Sequence, residues 1–301
     1  MLYGSVEAGG TKFVCGIGDA RGGSIETRRI ETTDPDSTIA AVAAFFAEVT
    51  ARIGPIAGLG IASFGPVDLD PASPRHGWIT TTPKQDWQDV DLLGRLARAT
   101  GVPAAIDTDV NAAALAEATL GAGQGGGQGA GTLAYVTVGT GIGVGVATGG
   151  KLRRDGGHPE AGHLLVRRHP GHLGFPGACP YHGDCLEGLA SGPAIEASWG
   201  ASLDRLPADH PAWEVQADYL GQLCATLVLT VAPQRIVIGG GVMAQQRLYP
   251  ATRAATTRAL AGYIARLADE AAVDALIVPP GCTEAPGLIG GYLLGEGAAG
   301  G

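Results

Sequence analysis

The sequence predicts an α/β fold built as two lobes around a cleft. Strand-like apolar runs alternate with helix-like segments along the 301 residues, which is the pattern of α/β proteins. Residues 5–18 and 134–147 are each predicted to form a strand, a tight glycine turn and a second strand, which indicates two halves built on one plan. A chain of this length suits two modest lobes better than one small domain.

The elements between and after these hairpins follow from apolar spacing. Helices are predicted where apolar residues recur at helical intervals, and strands where short apolar runs occur. The first half contains predicted helices at 38–52, 91–100 and 110–120, and predicted strands at 56–63 and 103–107. The second half contains predicted helices at 219–231, 244–267 with a break at Pro250, and 286–295, and a predicted strand at 235–238.

Composition excludes several classes of function. Lys and Arg total 20 against 29 Asp and Glu, a net charge of −9, and no basic block occurs, so we expect no nucleic-acid partner. The first ten residues lack the features of a secretory signal, and no apolar run reaches membrane-spanning length. Five cysteines, only two of them close together, favour reduced thiols over a disulfide framework. We therefore expect a soluble cytoplasmic protein without a membrane partner.

Three glycine turns are candidate ligand-binding loops. The first is formed by Gly10, Thr11 and Lys12, and the second by Gly139, Thr140 and Gly141. Backbone N–H groups and a threonine hydroxyl in such turns suit phosphate oxygens, although one glycine hairpin alone is more often only a hairpin. Two similar turns strengthen the case for a polyphosphate ligand.

The third turn, Gly239, Gly240 and Gly241, follows the apolar run RIVI. Bare backbone there would let a flat adenine-sized group approach. Close packing of a helix against a strand explains the same glycines equally well, and the sequence leaves both interpretations open.

Two carboxylates and an amide crowd one turn between the predicted strand at 103–107 and the following helix. They belong to Asp107, Asp109 and Asn111. A helix cap explains one acid in such a turn. The remaining carboxylate is a candidate general base that takes a proton from a substrate hydroxyl as that hydroxyl attacks phosphorus.

Cysteine and histidine spacing predicts a metal site. Cys179, His182 and Cys185 are separated by two residues each, with His163 upstream, and thiolates with imidazoles suit tetrahedral zinc. Further candidates for the fourth ligand are His158, His169, His172 and Asp184. We expect an architectural zinc ion that holds a long loop against a strand, in preference to a catalytic zinc or a zinc-ribbon module.

These segments resemble the ROK family of sugar kinases, which have an actin-like, two-lobed ATPase fold. The resemblance runs from about residue 3 to residue 295, and its most specific parts are HPEAGH at 158–163 and CPYHGDCLEGLASGP at 179–193. EAGGTKF at 7–13 and TTTPKQDW at 80–87 resemble the fructokinase branch of the family. Many members carry a Cys-x-Cys-Gly-x-x-Gly-Cys zinc loop, so the single histidine and two cysteines here also favour that branch.

The resemblance implies a division of labour among the residues of this chain. It implies that residues 1–112 form the N-terminal lobe, that residues 113–286 form the C-terminal lobe, and that a helix at about 287–301 packs back on the first. It implies that Asp109 is the catalytic base. The residues that it implies for the sugar are Gly65, Pro66, Asn111, Glu160, His163 and Glu187.

It also implies the ligands of the reaction. The residues implied for ATP are those of the three glycine turns, and Mg²⁺ is implied between the phosphates. Glu7 stands where many members carry Asp, which leaves open whether the protein contacts Mg²⁺ directly or through water. The metal ligands implied for zinc are His163, Cys179, His182 and Cys185, and a homodimer is expected.

The predicted function is ATP-dependent phosphorylation of fructose to fructose 6-phosphate. The alternative is the same chemistry on mannose, glucose or an N-acetylated amino sugar. A non-catalytic sugar-sensing repressor is the main rival of another class, but the first glycine turn begins at about residue 9, which leaves no room for an N-terminal DNA-binding extension in this sequence.

Overall fold

The computed structural model describes residues 1–126, 131–152 and 157–300, and within them it contains strands, α-helices and several short 3-10 helices. The strands are β1 Tyr3–Ala8, β2 Lys12–Gly18, β3 Ser24–Glu31, β4 Leu59–Ser63, β5 Trp78–Ile79, β6 Val90–Asp91, β7 Ala104–Thr108, β8 Thr132–Val138, β9 Ile142–Thr148, β10 Lys151–Leu152, β11 Arg235–Gly239 and β12 Ile277–Val278. The α-helices are α1 Pro35–Ile53, α2 Leu92–Thr100, α3 Asp109–Thr119, α4 Leu186–Ala190, α5 Gly192–Trp199, α6 Ala212–Thr230, α7 Leu248–Leu260, α8 Glu270–Leu276 and α9 Pro286–Ala299.

The chain divides into two compact units. Unit 1 consists of Met1–Gly129, Gly145–His158 and Gly281–Gly301, and unit 2 consists of Ala130–Val144 and Pro159–Pro280. Neither unit is one continuous segment, because the chain leaves unit 1 and returns to it twice.

Unit 1 contains a five-stranded sheet of order β3-β2-β1-β4-β7. β1, β2 and β3 are antiparallel neighbours, whereas β1, β4 and β7 run parallel. Helix α1 begins at an Asp34 cap and buries Val42, Phe45, Phe46 and Val49, which recur at helical spacing. The predicted helix at 38–52 and the predicted strands on both sides of the first turn are therefore confirmed.

Helix α9 closes unit 1. It contacts β1, β4, β7 and α3, and it buries Leu288, Tyr292 and Leu294. The Ser5 hydroxyl donates a hydrogen bond of 2.7 Å to the Leu288 carbonyl and so fixes the helix on β1. The last segment of the sequence thus packs on the first strand.

A second five-stranded sheet has the order β10-β9-β8-β11-β12. β8 is parallel to β11, as β1 is parallel to β4, so each glycine hairpin is followed by a parallel partner of its first strand. This common arrangement agrees with the two similar halves predicted from residues 5–18 and 134–147.

The predicted helix break at Pro250 is wrong. Helix α7 begins at Leu248, so the proline lies in its first turn, where the backbone N–H has no partner within the helix in any case. The helix then ends at Leu260, with Ala261 in a left-handed conformation. None of the helices among the described residues has the length and hydropathy that a membrane span requires.

Candidate functional site

Three parallel strands of unit 1 end side by side. In the register of the sheet Ala8 lies beside Ser63, and Ser63 lies beside Thr108. The segments that follow these residues are the first glycine turn, the Gly65–Pro66 segment and the turn that carries Asp109. Carboxyl ends of parallel strands are the usual place for ligands in α/β sheets, and the register brings three predicted site segments to one edge.

The first glycine turn is tight and accessible. The Gly9 N–H donates to the Lys12 carbonyl at 3.0 Å, and the Thr32 hydroxyl donates to the Gly9 carbonyl at 2.8 Å. Thr11 and Lys12 are exposed at its tip, and Gly10 is partly exposed. This arrangement leaves a hydroxyl, an ammonium group and bare backbone available to an anion.

Glu7 lies in β1 just before this turn. Burial raises the pKa of its carboxyl group, and the nearby Lys12 ammonium acts in the opposite direction. A Cβ atom at Gly287 would lie 2.8 Å from Glu7 Oε1, so the glycine lets the carboxyl group approach the first turn of α9. The N-terminal end of a helix favours negative charge, which helps to keep a carboxylate at this depth.

The turn that carries Asp109 is built by its neighbours. Asp107, Thr108 and Asn111 are all buried. Asp107 Oδ1 accepts hydrogen bonds from the Thr108 N–H at 2.8 Å and from Asn111 Nδ2 at 2.7 Å. Asn111 Oδ1 accepts from the Val146 N–H at 3.3 Å. Both Nδ2 and Oδ1 of Asn111 are therefore engaged in hydrogen bonds within the protein.

Helix capping does not account for Asp109. The hydroxyl of Thr108 accepts from the Asn111 N–H at 3.2 Å and is the cap of α3. Asp109 is the first residue of the helix, is only partly buried, and accepts from the Val110 N–H at 2.9 Å. A carboxylate held in this way at the end of β7 can accept a proton from a bound hydroxyl.

The Gly65–Pro66 segment is fixed at the end of β4. Its peptide bond is cis, and the Pro66 carbonyl accepts from both the N–H and the hydroxyl of Thr80, at 2.9 and 3.1 Å. The Phe64 N–H donates to the Ala8 carbonyl at 2.8 Å, which ties the segment to β1. The segment therefore presents its backbone between the other two turns.

In unit 2 the second glycine turn is held by a carboxylate. The Gly139 N–H donates to the Gly141 carbonyl at 2.9 Å, and the Gly192 N–H donates to the Gly139 carbonyl at 2.8 Å. Glu187 Oε2 accepts from the Ile142 N–H at 2.9 Å. A Cβ atom at Gly141 would lie 2.6 Å from the same oxygen, so the glycine is needed for this contact.

The third turn combines the two interpretations of its glycines. Gly240 has φ 92°, and a Cβ atom there would overlap the Val138 backbone. A Cβ atom at Gly239 would lie 2.6 Å from the Tyr135 hydroxyl. A Cβ atom at Gly241 meets no described atom within 4 Å. Packing therefore explains the first two glycines, and Gly241 leaves exposed backbone at the end of β11.

The predicted metal ligands of unit 2 lie together. The donor atoms of His163, Cys179, His182 and Cys185 are all within 4.8 Å of one another. His163 Nδ1 is 3.4 Å from Cys185 Sγ and 3.7 Å from Cys179 Sγ, and His182 Nδ1 is 3.7 Å from Cys179 Sγ. A tetrahedral zinc with bonds of about 2.0–2.3 Å separates its ligands by about 3.3–3.8 Å. The donor set and these three distances fit that ion.

The thiols of this cluster are deeply placed. Cys179 and Cys185 are both buried, and burial raises the pKa of the Cys185 thiol to about 11. A bound divalent cation favours the thiolate instead. His163 Nε2 lies 4.0 Å from Glu187 Oε1, so the carboxylate that holds the second turn also faces the cluster.

The alternative ligand candidates contact other groups. Asp184 pairs with Arg168 at 3.0 Å. His172 contacts the Tyr219 and Ser198 hydroxyls, and the His169 ring accepts from the Gly171 N–H at 3.1 Å. His158 lies in unit 1, where its ring contacts the Val67 N–H.

Glu160 lies at the start of a 3-10 helix formed by Ala161–His163 and is exposed. A Cβ atom at Gly162 would overlap the Ile142 carbonyl, so the glycine lets this helix pack on β9. Ile142 is thus the point in unit 2 where the second turn, Glu187 and the 3-10 helix Ala161–His163 meet.

A model of the ROK family matches residues 3–295. The chain is a member of the ROK family. The predicted membership is therefore confirmed. This ROK chain is 40% identical over 295 residues to a putative fructokinase from Bacillus subtilis (strain 168), a match that covers 97% of this chain and 95% of that protein. It is 39% identical over 298 residues to a fructokinase from Pediococcus pentosaceus, with 99% of each chain covered.

The fold of the ROK chain is also that of solved relatives. The ROK hexokinase from Thermus thermophilus superposes with a TM-score of 0.77 at 27% identity, and the match covers 98% of each chain. The predicted α/β fold of the actin-like ATPases is confirmed by this likeness.

Sequence reasoning did not predict that Lys84 lies at the first glycine turn. Lys84 is the N-cap of the 3-10 helix Gln85–Trp87, and its Cε atom lies 3.6 Å from where a Cβ atom at Gly10 would stand. The available signal was composition, because the ROK chain contains only three lysines.

Proposed function

We propose that this protein is a fructokinase that transfers the γ-phosphoryl group of ATP to fructose and releases fructose 6-phosphate and ADP. Relatives that are 39–40% identical over nearly the whole chain carry that name. The observation that carries the chemistry is the register of β1, β4 and β7, which brings the first glycine turn and Asp109 to one edge of a sheet.

Asp109 is the general base of this proposal. Its carboxylate accepts the proton of the fructose hydroxyl, the hydroxyl oxygen forms a bond to the γ-phosphorus, and the bond from that phosphorus to the leaving ADP oxygen breaks. The neighbouring Asp107 and Asn111 are buried and bonded to each other at 2.7 Å, so they hold the turn while Asp109 changes protonation.

Sugar recognition is assigned residue by residue, following the ROK resemblance. Gly65 and Pro66 contribute backbone at the end of β4, and Glu160, His163 and Glu187 contribute polar side chains from the segments around Ile142. Asn111 contributes chiefly by shaping the Asp109 turn, since both ends of its amide are bonded within the protein. A direct contact between Asn111 and sugar stays a prediction.

ATP is assigned to the three glycine turns. The residues proposed for the phosphates are Gly10, Thr11 and Lys12 of the first turn and Gly139, Thr140 and Gly141 of the second. The third turn is proposed for the adenosine, and there Gly239 and Gly240 allow close packing and Gly241 leaves open backbone. Mg²⁺ bound to the phosphates would neutralise charge on the transferred group. Glu7, beside the first turn, is the carboxylate placed to face that ion directly or through water.

We further propose a structural zinc ion held by His163, Cys179, His182 and Cys185. All four positions of a tetrahedral ion are filled by protein, which is typical of structural sites and leaves none for a substrate. The ion would tie the loop that carries Cys179 to His163. It would thereby fix the position of His163, whose ring faces Glu187.

A cytoplasmic homodimer completes the proposal. ATP is supplied inside the cell, and the ROK resemblance is the support for the dimer. Sedimentation of the purified protein measures the assembly directly.

A sugar panel tests the proposed function. Purified protein with ATP and Mg²⁺ is expected to phosphorylate fructose with a higher kcat/KM than mannose, glucose, N-acetylglucosamine or N-acetylmannosamine. A preference for one of the other sugars would move the assignment to the alternative hexose kinase. ATP hydrolysis that no hexose accelerates would remove the kinase assignment.

The substitution Asp109→Asn tests the proposed role of Asp109 as the general base. Asp109→Asn should lower kcat by about 10²–10⁴-fold, the range of general acid–base catalysis, while ADP binding and melting temperature stay close to wild type. Asp86→Asn, in an exposed carboxylate of the same unit, is the matched control and should keep full activity. Near-normal turnover of the Asp109 variant would exclude it as the base.

A further inference from the structure

Lysine is rare in this chain. Only Lys12, Lys84 and Lys151 occur among its 20 basic residues, and all the others are arginines. Lys12 belongs to the first glycine turn, and Lys84 approaches the same turn from a segment more than seventy residues further along. Two of the three lysines therefore lie at one turn.

The segment of Lys84 is rigidly held. Trp87, three residues later, is 1% exposed. Its ring packs on Phe13 and Phe64 at centroid distances of 5.3 and 5.9 Å, and its Nε1 donates to the Thr33 carbonyl at 2.8 Å. Phe13 follows the first glycine turn and Phe64 follows β4, so one indole ring positions Lys84 against both segments.

The end of the Lys84 side chain lies beside the bare backbone of Gly10. A Cβ atom at Gly10 would stand 3.6 Å from Lys84 Cε, which is ordinary van der Waals contact. The side chain is half-buried, and its Nζ atom is one bond beyond that carbon. A glycine at position 10 leaves the space beside the ammonium group for a ligand.

The two lysines at the turn differ in their partners. The positive charge of Lys12 opposes the rise that burial causes in the pKa of the Glu7 carboxyl group. Lys84 occurs in none of the ion pairs between residues that the structure describes. A half-buried cation with no carboxylate partner in that part of the chain is suited to an anionic ligand.

A lysine side chain at position 84 suits contact with a phosphoryl group that moves during transfer. Lysine is a compact point charge on a flexible stem, whereas arginine presents a wide planar fork. A phosphoryl group that changes position during transfer can be followed by the single ammonium nitrogen of a lysine.

We infer that Lys84 is a further catalytic residue, whose ammonium group contacts the transferred phosphoryl group beside Gly10. This inference rests on the proposed kinase function. The sugar oxygen forms a bond to phosphorus as the bond to the ADP oxygen breaks, and Lys84 donates hydrogen bonds to non-bridging oxygens without gaining or losing a proton. Its positive charge opposes the negative charge that the phosphoryl group carries in the transition state.

The test compares Lys84→Met with Lys151→Met. Lys84→Met removes the charge and keeps the length of the stem, so kcat should fall by about a hundredfold or more while the KM for fructose changes by less than about threefold. Lys151→Met, in an exposed lysine of β10, should keep wild-type kcat. Melting temperatures of both variants should equal that of the wild type.

Chemical rescue separates a charge contact from a structural role. Lys84→Ala should regain activity when ethylammonium is added, and the same salt should leave Asp109→Asn inactive. A Lys84→Met enzyme within about threefold of wild-type kcat, or a Lys84→Ala enzyme that ethylammonium does not activate, would overturn the inference. Both results require a wild-type enzyme that phosphorylates a hexose, so failure of the proposed function shows itself first, in the wild type.

Discussion

At the scale of single residues, His172 is held by aromatic rings and hydroxyl groups, and it is not a member of the candidate metal cluster. Its ring stacks on Trp199 and Phe175 at centroid distances of 5.2 Å. Nδ1 lies 3.0 Å from the Tyr219 hydroxyl and Nε2 lies 2.5 Å from the Ser198 hydroxyl. Burial, helped by the nearby charges of Arg168 and His169, lowers the pKa of His172 from 6.5.

A pH dependence of stability follows from this lowered pKa. The unfolded chain binds the His172 proton more readily than the folded one, so the stabilising contribution is complete above pH 6.5 and is lost as pH falls through the folded pKa. His172→Phe keeps a stacking ring but cannot be protonated. The free energy of unfolding, measured by urea titration between about pH 5 and pH 8, should therefore fall less steeply with acid in the variant.

His210 supplies the control for His172→Phe. His210 contacts the same Trp199 ring in a perpendicular arrangement, with a centroid distance of 5.2 Å, and His210→Gln should keep the wild-type slope. At neutral pH His172→Phe should be less stable by about 1–3 kcal/mol, because the buried Tyr219 hydroxyl and the partly buried Ser198 hydroxyl lose a partner. Equal acid slopes for His172→Phe and wild type would contradict a neutral buried histidine.

At the scale of elements, α9 depends on glycines for its approach to unit 1. A Cβ atom at Gly290 would overlap the backbone of Ala112 in α3, and one at Gly291 would overlap the Ser5 side chain. Gly297, in the same helix, has nothing described within 4 Å of its Cβ position. The packing of the helix therefore requires Gly290 and Gly291, whereas it does not require Gly297.

Two matched substitutions in α9 separate propensity from packing. Gly290→Ala should lower the free energy of unfolding by at least about 2 kcal/mol, because neither backbone can yield. Gly297→Ala should raise it by up to about 1 kcal/mol, since alanine is the better helix former. Thermal melts of both variants measure the difference, and a neutral Gly290→Ala would mean that α9 packs more loosely than described.

How far elements could be predicted depended on how local their cause is. Apolar spacing was sufficient for α1, and strand–turn–strand patterns were sufficient for the hairpins of β1 with β2 and β8 with β9. Pro250 was misinterpreted because a proline is harmless in a first turn, and helix starts are set by tertiary contacts as well as by sequence. The predicted elements therefore have the observed type, but their ends differ: α6 begins at Ala212 and α7 ends at Leu260, against predicted limits of 219 and 267.

At the scale of the whole molecule, the candidate site was predictable where one segment supplies it. The Asp109 turn and the Cys179–Cys185 cluster each lie within a few residues of sequence. The hydrogen bond from the Ile142 N–H to Glu187 joins residues 45 positions apart, and the approach of Lys84 to Gly10 also depends on folding. Such contacts leave no periodic pattern, so only the structure reveals them.

Metal removal is the test with consequences for the whole protein. A zinc ion bound only by the folded chain stabilises it by mass action, so protein purified without added metal should contain about one zinc per chain and lose it to a strong chelator. Cys179→Ser should abolish that content and lower the melting temperature by at least about 5 °C. Cys282→Ser changes a thiol of unit 1 outside the cluster, and this control should keep both the zinc content and the melting temperature of the wild type. A Cys179→Ser protein with unchanged stability, or a wild-type protein free of zinc, would refute the metal site.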